Sequence, residues 1–503
     1  MRKLYSLLYI SLIILFVGSS CSEMDDPIIK IKDKEPNKHK HVNDWIYENM
    51  VTSYLWNNDI PKEPDYSLKP DLFFKSILSD KDKSKDGYRF SWIDDNTDSS
   101  EGAVSATNSS DIGFEYTRIT YRNSNAQHFL VFYPKKGSDA YSKGIKRGNI
   151  ITAVDGKDIT NNNYKTILSG SKSKTLTIED WVYNNQKEEY ELTIKDITIK
   201  MESDFAESPV YLDSVYTIND KKIGYLVYNF FATGETEESH EYDEELMQTL
   251  ANMKPKKNVE MEMVLDLRYN GGGKVSTAIA LASALVKERS TENILAIAEY
   301  NDLLQKKYKK DTKNEHFIDY FIDKIEYKNG GKEIVVPALN LPRLYVLVSR
   351  YSASASEFVI NGLKPYMDVI LIGETTYGKN VGSWKIVDEK DTENNWSLQP
   401  ITVKFYNSER KSDFVNGFIP DFEVDEFISL PFVEFGNTED PLLGLALDLI
   451  IGAKKRSLYK SKQIDTYPKM IEIEGSSSLL NDRSRFEMYD DVRSKSIKSS
   501  FIN

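Results

Sequence analysis

Apolar positions between residues 344 and 384 come in blocks whose spacing changes twice. LYVLV (344–348) is a continuous apolar run with β-branched members, which predicts a buried strand. It leads into a turn with three serines, SASASE (352–357). Phe358, Val359, Ile360 and Leu363 then recur at helical steps, so a helix is predicted to begin near Ser354–Ser356 and to end by Pro365. VILIG (369–373) predicts a second buried strand, and the Gly-rich loop after it carries Glu374 to Lys379. The same order occurs upstream: VLDL (264–267) reads as a buried strand, NGGG (270–273) as a Gly-rich loop, and the following apolar stretch as a helix. KIGYLVYNFF (222–231) is a further strand. DPLLGLALDLI (440–450) is a closing amphipathic helix with Asp440 at its start and Pro441 in its first turn.

Towards the N-terminus, Trp45, Ile46, Met50, Tyr54 and Leu55 recur at three-to-four-residue steps, which predicts a helix. A turn follows at Pro61–Pro64, then a second helix over about Lys69–Leu78. The chain divides into a small helical region (41–105) that closes on RFSWIDD (89–95), a β-rich unit (106–198) and an α/β core (199–455). Residues 96–110 read as a Ser/Asn/Asp-rich linker. Residues 456–503 yield no element and are set apart as a C-terminal tail.

A length of 503 residues agrees with about three domains. Hydrophobic content of 40% and charged content of 28% are those of a soluble globular protein. The net charge of −13, with no cluster of Lys and Arg, speaks against nucleic acid as a partner. Residues 1–21 join a basic start, an apolar run and small residues before Cys21, which reads as a secretory signal. Cys21 is the single cysteine, so no disulfide forms within the chain. Its placement after Gly18-Ser19-Ser20 resembles a bacterial lipoprotein signal, with Cys21 as the lipidation site. The acidic SEMDD that begins at Ser22 resembles surface-export signals of Bacteroidetes lipoproteins. Residues 22–40, polar and Lys-rich, then read as a tether. The expected location is outside the cytoplasm, on an outer membrane through this lipid, on its periplasmic or its cell-surface face.

A serine at a helix N-terminus lies beside unpaired backbone N–H groups that can hold an oxyanion. Its hydroxyl is a poor nucleophile until a base takes its proton. A lysine is such a base only when neutral, and burial favours the neutral form. SASASE with GETTYGK (373–379) resembles the C-terminal processing (tail-specific) serine peptidases, which use a Ser/Lys dyad. The resemblance implies Ser354 as nucleophile and Lys379, 25 residues later, as base. It also implies a core of the ClpP/crotonase type, an oxyanion hole from Ala355 and from Gly271 or Gly272, with Gly272 favoured, and a polypeptide substrate. Relatives often carry a glutamine four residues after the lysine, whereas this chain has Ser383, so either Ser383 or another group is expected to orient Lys379. Asp266, Arg268 and Asn270 are expected to brace the Gly-rich loop.

GSDAYSKGIKRGNIITAVDGKDI (137–159) resembles a PDZ domain, with Gly144, Gly148 and Asn149 at its turn. DIGFE (111–115) stands where PDZ domains bind a peptide's carboxylate, which implies Ile112, Gly113 and Phe114 as a peptide-binding loop. The plainer reading puts Ile112 and Phe114 in a core strand. This unit would deliver substrate or gate the protease.

No cofactor is expected, because the Gly-rich loop lacks GxxxxGK[ST] and GxGxxG. The five histidines are scattered and there is no HExxH, so neither a zinc site nor a Ser/His/Asp triad is expected. Two rivals stay open: a peptide-binding scaffold that does not cleave, and a glycan-binding lipoprotein using some of the 31 tyrosines and 6 tryptophans. Self-association is also left open.

Overall fold

The computed structural model describes residues 38–95, 107–108, 111–453, 470–476 and 488–493, with short gaps at 122–123, 170–171, 185, 188, 203–204, 237, 256–259, 311–316, 328–331, 392 and 430. The export signal, Cys21 and the tether up to residue 37 lie outside the described residues. The fold is mixed α/β with a small helical N-terminal region.

The core is built on a six-stranded sheet in the order Val210–Ile218, Lys221–Tyr228, Met261–Asp266, Arg343–Val348, Asp368–Gly373, Phe422–Glu423. Its first pair is antiparallel and the rest are parallel. Strands buried on both faces need apolar residues of both parities, which explains runs such as MVL and LYVLV. Met263, Leu265, Leu344, Val346 and Val348 pack with the helices Val275–Leu285 and Ala355–Leu363. Val264, Tyr345 and Leu347 pack with Leu442, Leu443 and Leu447 of the helix Pro441–Ile451 on the opposite face. Asp440 caps that last helix by accepting from Leu442 N and Leu443 N.

A second sheet runs Gly273–Lys274, Met488–Tyr489, Val381–Ser383, Ile401–Tyr406, Ile294–Glu299, Ile318–Tyr320. Residues 456–503 are therefore more than the tail expected from composition. Met488–Tyr489 is an internal strand of this sheet, and Met470–Ser476 joins a third sheet. That third, antiparallel sheet runs Met470–Ser476, Phe114–Tyr121, Gln127–Pro134, Ile150–Val154, Ser173–Asn184, Glu189–Lys200. Its apolar side closes on Phe114, Phe129, Val131, Ile151, Leu176 and Ile178. We refer to it as the β-domain.

The helices Lys40–Ser53 and Pro70–Ser76 pack against the core. Ile46, Met50, Phe73 and Phe74 form one cluster with Val381, Leu398 and Ile401 of the core. Trp92–Asp95 pairs with Trp396–Gln399, so the segment that closes the helical region is also a strand of the core.

Candidate active site

Ser354 and Lys379 follow adjacent parallel strands, Arg343–Val348 and Asp368–Gly373. Parallel neighbours deliver their C-terminal loops to the same end of a sheet, which is where α/β folds place their sites. The Asn270–Gly273 loop arrives from the next strand over, Met261–Asp266.

The three serines of the turn behave differently. Ser352 Oγ donates to Leu267 O (2.8 Å) and Ser356 Oγ donates to Asn270 O (2.9 Å), so both pin the turn to the Gly-rich loop. Ala353 N also donates to Asn270 O (3.1 Å). Ser354 Oγ is fully buried and has no hydrogen-bond partner among the described residues. Ser354 also adopts φ +61°, a left-handed conformation that costs a non-glycine residue of order 1–3 kcal/mol. It sits at the N-terminus of the helix Ala355–Leu363, whose first amide belongs to Ala355.

A residue that the motif left without a role joins the two halves. Glu357 is fully buried, and its Oε2 accepts both Ser354 N (2.9 Å) and Lys379 N (2.8 Å). Its Oε1 accepts Thr376 Oγ1 (2.6 Å) and Gly378 N (2.8 Å). Burial pushes this carboxyl up from the usual carboxylate range, and these four donors oppose the shift. One carboxylate thus sets the distance between the Ser354 backbone and the Lys379 backbone.

Lys379 is 2% exposed, and its Nζ lies 5.5 Å from the centre of the Phe90 ring. Phe90 comes from the N-terminal region, which therefore closes over the lysine. Ser383 follows in the strand Val381–Ser383, and its Oγ accepts from Gln399 Nε2 (3.2 Å). Gln399 was not predicted: it lies 16 residues beyond Ser383 and reaches it because Val381–Ser383 pairs with Ile401–Tyr406.

In the Gly-rich loop, Asn270 Nδ2 donates to Tyr228 O (2.9 Å), and Asn270 Oδ1 accepts Gly272 N (2.9 Å). Arg268 is buried and binds Asp266 (2.8 Å) and Asp440 (2.8 Å), so these residues brace the loop as expected. Gly273 has φ +134°, and a Cβ there would lie 2.0 Å from Phe231 O. Gly273→Ala is expected to lower the thermal midpoint and the activity together, since the clash is with backbone and left-handed strain of about 1–3 kcal/mol adds to it. An unchanged midpoint in a thermal melt would contradict this.

The proposed peptide loop sits elsewhere, in the β-domain. Phe114 is 1% exposed in that domain's core, and Ile112 packs against it. Gly113 N donates to Asp111 Oδ1 (2.6 Å). Among the described residues no group of His, Cys, Asp and Glu could hold a metal ion.

Residues 222–424 match peptidase family S41, and residues 41–92 match the peptidase S41 N-terminal domain. A probable CtpA-like serine protease of Staphylococcus aureus is 26% identical over 252 residues, 50% of this chain and 42% of that protein. The carboxy-terminal processing protease CtpA of Bacillus subtilis is 24% identical over 318 residues, 61% of this chain and 56% of its own length. The chain thus spans about half the length of these curated relatives. The crystal structure of a putative S41 protease from Bacteroides fragilis superposes with a TM-score of 0.63 at 29% identity, over 81% of this chain and 97% of that one. Both matched segments meet at the site just described, residues 222–424 through Ser354 and Lys379 and residues 41–92 through Phe90: the chain belongs to peptidase family S41.

Proposed function

We propose that the chain is an exported serine endopeptidase that cleaves polypeptides through an acyl-enzyme. The observation that carries this reading is Ser354, whose hydroxyl alone of the three makes no hydrogen bond among the described residues, on a strained backbone at a helix N-terminus and tied through Glu357 to the lysine loop. Ser354 Oγ attacks the scissile carbonyl carbon while Lys379 Nζ takes its proton. The carbonyl π electrons move to oxygen, and backbone amides receive the resulting charge. Ala355 N is one donor. Gly272 serves as the second once its N–H leaves Asn270 Oδ1, and Gly271 is the alternative. Collapse breaks the C–N bond, and the Lys379 ammonium returns its proton to the leaving amine. Water, deprotonated by Lys379, then attacks the ester carbonyl; the C–Oγ bond breaks, and the Lys379 ammonium returns the proton to Ser354 Oγ. Ser383, paired with Gln399, orients the lysine where relatives place a glutamine.

The β-domain, read as PDZ-like, binds an extended peptide along Phe114–Tyr121, with Ile112, Gly113 and Phe114 forming the turn at the end of that strand. Cys21 carries the lipid that holds the mature chain on an outer membrane. The test is hydrolysis of casein by residues 22–503. Release of peptides by the unaltered chain and none by Ser354→Ala supports the reading; equal release by both overturns it.

A further inference from the structure

The strand Phe114–Tyr121 pairs on one side with Gln127–Pro134. Its other side is the edge that the peptide-binding reading requires to be open, and it is taken by Met470–Ser476. The pairing is antiparallel. Met470 stands opposite Tyr121, Ile471 opposite Thr120, Glu472 opposite Ile119, Glu474 opposite Arg118 and Ser476 opposite Thr117, with irregular register after Glu472 and after Glu474. An open edge is a row of unpaired N–H and C=O groups that accepts any extended backbone.

Direction and length both matter. The segment runs towards the N-terminal end of Phe114–Tyr121, so it heads for the turn Asp111–Gly113. A peptide that delivered its carboxylate to that turn would run the same way. The pairing ends opposite Thr117, so Phe114, Glu115 and Tyr116 are not reached. The segment therefore holds the edge without filling the end that a free carboxylate would use.

Its downstream anchor is in the catalytic sheet. Met488–Tyr489 lies between Gly273–Lys274, which directly follows the oxyanion loop, and Val381–Ser383, which follows Lys379. Asp490 N donates to Ser383 O (2.9 Å), Ser276 N donates to Asp491 Oδ1 (3.0 Å), and buried Arg493 binds Asp319 (2.6 Å) and Asp490 (3.0 Å). Only residues 477–487 connect the two strands. A ligand tethered this closely has an effective concentration of order millimolar, against which a free peptide must compete.

We propose that residues 470–476 are the resident ligand of the β-domain's peptide-binding edge, and that an incoming polypeptide with a free C-terminus takes the edge only by displacing them. The proposal rests on the peptide-binding reading of this domain. It makes the C-terminal segment an internal competitor, fixed at one end beside the catalytic loops.

The test uses a fluorescein-labelled peptide of residues 466–476 with a free carboxylate, titrated by anisotropy into the full mature chain and into the Ile471→Pro/Glu474→Pro variant. Proline removes an N–H donor and does not fit a regular ladder, so the variant's own segment lets go. The variant is expected to bind the probe at least about tenfold more tightly than the unaltered chain. Equal affinity overturns the proposal and leaves the peptide-binding reading standing. Absence of binding to both overturns that reading and the proposal with it. Hydrogen exchange on the unaltered chain decides the matter whether or not the variant folds. Protection of 470–476 together with 117–121, lost from 470–476 alone when the peptide is added in excess, supports the proposal. Exchange of 470–476 at the rate of an unstructured peptide overturns it.

Discussion

Ser354→Ala is expected to abolish casein hydrolysis, and adding Lys379→Ala to it is expected to cost nothing further. In the proposed mechanism the two side chains act in one step: the hydroxyl is unreactive without a base, and the base has no proton to take without the hydroxyl. Groups that act as a unit are strongly non-additive, so each single variant falls by about 10⁴-fold or more in kcat, and the double variant falls no lower than the worse single. Ser354→Ala leaves the thermal midpoint close to the unaltered value. Its Oγ makes no hydrogen bond among the described residues, and alanine tolerates the same backbone with the same strain. Initial rates on casein, with melts of all four proteins, check this. A double variant far below both singles, or a Lys379→Ala protein that keeps more than about a tenth of the activity, would break the dyad into independent parts.

The second large effect belongs to Glu357. Its carboxylate satisfies three backbone amides and one hydroxyl, all in a fully buried position. Glu357→Ala leaves four buried donors without that acceptor, at about 1–3 kcal/mol each before any water enters, and the protein is expected to lose much of its stability. Glu357→Gln is the more informative variant. It keeps the shape and one acceptor oxygen, but turns an NH2 group towards amides that also donate. The nucleophile turn and the lysine loop then shift against each other, and misplacement of reacting groups by about 1 Å is worth about 10²-fold. We expect kcat per titrated active site to fall by about that factor with KM nearly unchanged. Glu357 holds the two residues by their backbone amides, so its role is to position. A purely structural role would reduce the number of active molecules and leave kcat per site intact, and that outcome would count against it.

What the sequence disclosed and what it hid follow one physical distinction. The strand–turn–helix elements at 344–363 and 264–285 were legible because buried strands flanked by helices leave continuous apolar runs. The two loops that carry Ser354 and Lys379 were legible because each lies in a distinctive local motif and follows a readable buried strand. Glu357 was visible as a letter of the same motif, yet its role depends on the approach of the loop at 376–379, which no local pattern encodes. Gln399 reaches Ser383 only through the pairing of two strands.

The C-terminal strands were missed for two reasons. Met488–Tyr489 is two residues long and has no period to read. Met470–Ser476 does alternate, with Ile471 and Ile473 each followed by a glutamate, but it is embedded in Ser- and Lys-rich sequence that outweighed the signal. The helical N-terminal region was legible as helices. Its contacts with Val381, Leu398 and Ile401, and the approach of Phe90 to Lys379, are tertiary.

A fluorophosphonate tests whether Ser354 is the nucleophile and Lys379 its base, because it reacts covalently with an activated serine and needs no natural substrate. Incubation of the mature chain, followed by intact-mass measurement and peptide mapping, is predicted to give one adduct per chain, on Ser354. No adduct is predicted in Ser354→Ala, and one formed at least about tenfold more slowly in Lys379→Ala. An adduct of equal yield in Ser354→Ala would contradict the account at its root.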